Sequence, residues 1–401
     1  METTWQGTLE QLNEYVKNNP GISIGKNMVV IPAEARTEFY RIFDKVEADF
    51  VRKYAPDQLK RGCELSAVWL DESRNLALKL GLQSIVIAQS VMWFLNDPLD
   101  GLTRALSDPL FNVLKGEMDI PSFEEQAKKL TDSGFSSFFR EGYKYWIEVS
   151  LLSLLEPENN YGVPAVDEVA DGLIGEGHEN PGQHKALVPE AEESNRMFLL
   201  QHPVVSFVVP KALVRSRRLA RYVAMHSEFV EPQWTAREIS RDAEWFDFTA
   251  LKRDNNLTKL RPDQKQLVDL TRILPDIALY ASDDIYNISL ISDHSSIMRP
   301  ALSVEVMDDP SWYEKGRLSA VKRHHAVMKP ALGTFVVCLA PPPQAAIDEL
   351  APKLAEASQP GDAIKPETVL EPPMDIHILW AGFDKSRLEP VVKTMEPAQA
   401  S

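Results

Sequence analysis

The last third of the chain repeats one arrangement, a short β-branched and apolar run followed by a stretch long enough for a helix. The runs are ALSVEVM (301–307), TFVVCL (334–339) and DIHILW (375–380), and the stretches after them cover 310–328, 344–357 and 385–395. Runs of that length bounded by turn residues read as strands. Two more strands are expected at 277–280 and 285–291, around Ser282, Asp283 and Asp284, with a helix over 262–274 before them. The order is then helix, three strands, helix, strand, helix, strand, helix. Neither a strand nor an amphipathic helix can bury its apolar side alone, so this order points to an α/β mixed-sheet domain flanked by helices.

The earlier part reads differently. Residues 1–155 are expected to form a mostly helical domain. In 33–54, Phe39, Ile42, Val46, Phe50 and Val51 fall near one helical stripe with charges opposite, and Pro32 stands just before it. A second long helix is expected over 71–95. Its apolar end, SIVIAQSVMWFL, is too short to span a bilayer and contains Gln89 and Ser90. Further helices are expected at 121–129 and 138–155, with Phe135, Phe138, Phe139, Tyr143, Tyr145 and Trp146 as core aromatics. Residues 156–196, rich in Gly, Pro, Asn and acid, read as a linker or loop. The α/β domain then fills 197–401, opening with a strand-like run at 198–209 and a basic helix over 210–229. The fold class expected is α+β overall.

Charge narrows the function classes. The formal net charge of −16 opposes non-specific nucleic-acid binding by the whole molecule. The distribution is uneven: 156–193 holds ten acidic residues against Lys185, whereas 211–272 holds thirteen basic against nine acidic. That basic segment can meet a polyanion or face the acidic one, and intramolecular pairing is the expectation. With only Cys63 and Cys338, neither a disulfide framework nor a cysteine-based zinc site is expected. The N-terminal METTWQGTLEQLNEYVKNN lacks the basic and apolar regions of a signal peptide. A cytoplasmic protein with no membrane association is the expectation.

Several motif-like stretches fail on spacing. GISIGKN (21–27) is too short for a phosphate loop and ends in Asn27 where Ser or Thr is needed. GHENPGQH places His178 and His184 in a Gly/Pro loop where they cannot share a helix face. His324 and His325 adjoin on a helix and point in different directions. SDHSS (292–296) has no nucleophile elbow around it.

The stretch 276–307 offers a possible chemistry. Alternation along ALSVEVM puts Leu302, Val304 and Val306 towards the core and Ser303, Glu305 and Met307 on a face that is open to solvent or floors a cleft. Asp276 opens an earlier strand, and Asp283 and Asp284 stand at its turn. Carboxylates on neighbouring strand ends can hold Mg²⁺, a hard cation that keeps several waters. Such a metal could bind a phosphodiester and activate water.

The Pro-Asp pair at 275–276, followed by Glu305 in an apolar strand and then a helix, resembles the PD-(D/E)XK nuclease superfamily. The order of elements over 262–340 is similar to that family's core. The resemblance implies that Asp276 or Asp284 holds a metal shared with Glu305. A lysine two residues after the Glu would assist the attacking water, and this chain has Met307 there. Some members supply the lysine from the next helix, which makes Lys322, or alternatively Lys315, the candidate. Arg215, Arg217, Arg218 and Arg221 would grip a phosphate backbone. With Met307 in place of the lysine, the expectation is an accessory or interaction protein with a nuclease-like, non-catalytic α/β domain and another protein as partner. The alternative is a Mg²⁺-dependent phosphodiesterase or nuclease reaching nucleic acid through 211–272.

Overall fold

Thr4 opens the first helix: its Oγ1 accepts a hydrogen bond from the Gly7 N–H at 3.3 Å, and α1 runs Trp5–Asn18. A computed structural model describes residues 4–25, 28–162, 192–199, 210–227, 275–289, 300–328, 330–350 and 375–397. The expectations for 200–209, 262–274, 290–291 and 351–357, and the bulk of the acidic segment with His178 and His184, lie outside these residues.

After α1 come the hairpin strands β1 (Ser23–Ile24) and β2 (Val29–Val30), then α2 (Ala33–Tyr54) and α3 (Pro56–Leu80). Strand β3 (Ser84–Val86) is followed by α4 (Gln89–Asn96), α5 (Pro98–Thr103), α6 (Ser107–Leu114) and α7 (Ile120–Leu154). The later strands are β4 (Pro157–Asn160), β5 (Arg196–Phe198), β6 (Ala212–Ser216), β7 (Arg221–Ser227), β8 (Ile277–Ser282), β9 (Leu302–Met307), β10 (Thr334–Cys338) and β11 (Ile376–Trp380). Among them stand α8 (Tyr286–Ser289), α9 (Arg317–Met328), α10 (Gln344–Leu350) and α11 (Glu389–Thr394). The molecule is α+β overall: helices dominate its N-terminal region and a mixed sheet follows. No helix among the described residues is long and apolar enough to cross a membrane.

The chain divides into two compact units, Met1–Arg74 with Ile87–Trp146, and Asn75–Val86 with Ile147–Ser401. The first is helical. The stripe of α2 buries Phe39, Ile42, Phe43, Val46, Phe50 and Val51, and Trp5 of α1 packs edge-on to Phe50 with ring centroids 5.4 Å apart. Asp97 starts α5 by accepting from the Leu99 and Asp100 N–H groups, with Pro98 at the first helical position.

The second unit is built on a seven-stranded sheet of order β11-β10-β9-β8-β7-β6-β4. Strands β4, β6, β7, β8 and β9 pair antiparallel in that order, and β9, β10 and β11 pair parallel. The parallel pairing of β9 and β10 follows from the helix between them, since only a crossover returns the chain in the same direction. A separate parallel pair joins β3 and β5.

Several expected elements take another form. Within the expected helix, the described residues 210–227 are not helical: β6 and β7 form a hairpin, register Ala212↔Met225 to Ser216↔Arg221, turning through Ala220 at φ 53°. Val214, Tyr222 and Val223 favour extended backbone, and arginines at helix-compatible spacing masked the turn. The helix expected over 71–95 ends at Leu80. Gly81 takes φ 63° and the Leu82 N–H reaches back to the Ala77 carbonyl, a Schellman ending, before β3 begins. The helices at 121–129 and 138–155 are one, α7. Residues 310–316 are turns ending at Gly316 (φ 72°), so the expected helix starts only at Arg317. In place of a strand from 285, α8 follows Asp284. Pro157–Asn160 and Arg196–Phe198, at the two ends of the expected linker, are strands.

Candidate functional site

Strand β9 is buried at all six positions. Its alternation is as expected, but the Ser303, Glu305 and Met307 face is not open. The register pairs these residues with Thr334, Val336 and Cys338 of β10. Over that face Met307, Val336 and Cys338 share a core with Trp312, Leu318, Val321 and Ala346. A strand at a parallel pairing with a helix across it is covered on both sides.

Glu305 therefore sits inside, 2% exposed. Its Oε1 lies 2.5 Å from His324 Nδ1 on α9. The antiparallel register Ile277↔Val304 brings the residue before β8, Asp276, alongside. Asp276 Oδ2 accepts from the Val306 N–H at 2.8 Å and stands 4.0 Å from Arg317 Nη2. Burial pushes the Glu305 carboxyl up to about 7; the hydrogen bond with His324 opposes this and the Asp276 charge adds to it.

A second polar pair bridges β9 and β10. Ser303 and Thr334 place their hydroxyl oxygens 2.6 Å apart, and His325 Nδ1 is 2.8 Å from Thr334 Oγ1. Burial holds the His325 imidazole below its ordinary value, with the Asp375 charge opposing. The two histidines do diverge, as their adjacency implies, yet both meet the sheet, His324 at β9 and His325 at β10. Arg317, Leu318, Val321, His324 and His325 follow the i, i+1, i+4, i+7, i+8 spacing of a helix's inner face. That spacing was the signal available in the sequence for His324 as the partner of Glu305.

The other expected site residues disperse. Asp284 lies beyond the far end of β8, about 20 Å of strand from Asp276. Its Oδ1 accepts from the Tyr286 N–H at 3.0 Å, at the start of α8. It cannot share an ion with Asp276 and Glu305. Lys322 is off the sheet-facing stripe and pairs with Glu349 at 2.5 Å. Lys315 pairs with Asp309, which also accepts from the Ser311 N–H. Arg217 pairs with Glu156, Arg221 with Asp283, and Arg218 with both Glu389 and Glu396 at 2.6 Å. Arg215 lies over the Tyr222 ring, 4.6 Å from its centroid.

Among the described residues, no three His, Cys, Asp or Glu side chains gather closely enough to hold a metal. The donors fit Mg²⁺ poorly: the ion keeps several of its waters, and Glu305 has no open side on which they could stand. No family model, no curated protein and no solved structure matches this chain.

Proposed function

We propose that this is an accessory or interaction protein whose α/β unit has a nuclease-like order of elements and serves as a scaffold without a working catalytic centre. The observation that carries this reading is Glu305 buried at 2% exposure against His324. A metal ligand in a hydrolytic site must face water and substrate; this one faces a helix. The candidate lysines, Lys315 and Lys322, are both paired with carboxylates, which supports the same reading. The partner is another protein, and a cytoplasmic setting belongs to the same proposal, in keeping with the free thiols of Cys63 and Cys338.

One observation favours the second reading, a Mg²⁺-dependent phosphodiesterase. Asp276 and Glu305 are neighbours across β8 and β9, as that chemistry would need. Calorimetric titration of Mg²⁺ and Mn²⁺ into the wild type and Glu305→Gln separates the two. The scaffold reading expects no saturable heat from either protein at low millimolar metal. Saturable binding lost in Glu305→Gln, with metal-dependent cleavage of a duplex by the wild type, would establish the phosphodiesterase.

A further inference from the structure

Among the described residues, the helical unit contains an open cleft of about 750 Å³ between β2, the first turns of α2 and the length of α6. That volume is in the range of small-molecule sites. Its walls hold two cations, Arg36 and Lys115, two rings, Tyr40 and Phe111, and two further polar side chains, Asp108 and Asn112.

The rings are held from behind. Phe111 packs on Phe43 with centroids 4.5 Å apart and stacks on Phe39 at 6.3 Å, and Tyr40 stands edge-on to Phe39 at 5.3 Å. Phe39 and Phe43 are themselves buried, so the aromatic wall is fixed before any ligand arrives. Tyr40 nevertheless remains 40% exposed. Among the described residues neither Arg36 nor Lys115 has a carboxylate within ion-pair distance, although Asp108 lines the same cleft. The side chain of Arg36 makes only a 3.5 Å contact with the Ile31 carbonyl. In a chain of net charge −16, a concavity with two uncommitted cations against one acid is a local reversal of sign.

We infer that this cleft binds a small ring-bearing anion of nucleoside-monophosphate size, with its acid group on Arg36 and Lys115 and its ring on Tyr40 and Phe111. The guanidinium offers a planar fork to an oxyanion and the ammonium a point charge. Stacking on the two rings accepts any flat ring, aromatic or heteroaromatic. Asp108 accepts hydrogen bonds only, so a hydroxyl or amino donor on the ligand adds a contact there, while Asn112 can pair with either kind of group. A plain aryl carboxylate lacks that donor, and inorganic phosphate lacks the ring. This inference is independent of the reading given to the α/β unit.

The test is calorimetric titration of AMP into the full chain, with adenosine, inorganic phosphate and benzoate titrated separately. Saturable binding of AMP is expected, with each of the other three weaker by about tenfold or more, the loss of one charge-assisted or stacking contact. Arg36→Gln and Lys115→Met should each weaken AMP by about tenfold and leave the thermal midpoint unchanged. No saturable heat from AMP up to about 5 mM would overturn the inference. So would AMP binding equally to the wild type and both variants, or phosphate alone binding as tightly as AMP.

Discussion

Glu305 shows how one side chain's surroundings set its chemistry. On an open strand face it would be an ordinary carboxylate; under α9, burial raises its pKa from 4.5 to about 7. The folded state then binds more protons than the unfolded chain between those values, so stability falls as pH rises through that window and levels off above it. The loss approaches about 3 kcal/mol for a shift of this size. Glu305→Gln keeps the shape and removes the titration. Denaturant unfolding at pH 5 and pH 8 should show the wild type losing more stability between the two than the variant. Equal losses would mean that Glu305 ionises in the native state as it does in water. The sequence placed Glu305 correctly on a face with Ser303 and Met307. It left open what covers that face, because the covering residues, Trp312, Leu318 and Val321, come from the segment that follows the strand.

At the scale of elements, the close approach of α4 and α5 rests on Gly101. A Cβ there would lie 2.5 Å from Phe94 Cα and 2.9 Å from Phe94 N, backbone atoms that cannot turn aside. At Gly142 the nearest atom to an added Cβ is Leu95 Cδ2 at 2.9 Å, the end of a flexible side chain. Gly101→Ala is therefore expected to destabilise the protein by about 1–3 kcal/mol and Gly142→Ala by less, although alanine suits both helices better than glycine. Urea midpoints of the two variants give the comparison, and an equal or smaller loss at Gly101 would contradict the packing described. The hairpin β6–β7 makes a related point. The basic run 215–221 has side chains compatible with either helix or hairpin. The extended form prevails because β7 adds a ladder to β8 and β6 to β4. Pairing partners fifty or more residues away in both directions decided it.

Across the whole molecule the question is what a net charge of −16 with a basic middle can bind. Arg217 and Arg221 sit in exposed ion pairs that a polyanion could exchange, whereas Arg218, 14% exposed between Glu389 and Glu396, is committed to holding α11. Among the described residues of the basic segment few phosphate contacts remain available, and the overall charge repels the duplex. Filter binding to a 20-bp duplex at about 150 mM salt should detect no retention. Retention that fell steeply with salt and was lost in Arg217→Gln with Arg221→Gln would restore the nucleic-acid interface.

Periodicity in the sequence by itself determined which stretches are helical or extended where one face is apolar. It gave α2 to the residue, the three parallel strands of the α/β unit, and the α+β division of the chain. It could not determine which strands pair, where helices such as α3 stop for a left-handed glycine, or whether a polar strand face is wet. Those depend on contacts between segments far apart in the chain, and local pattern carries no term for them. The fate of Glu305 is the case in point: its strand was legible at residues 301–307, but its burial was decided by His324, seated by a helix that begins only at Arg317.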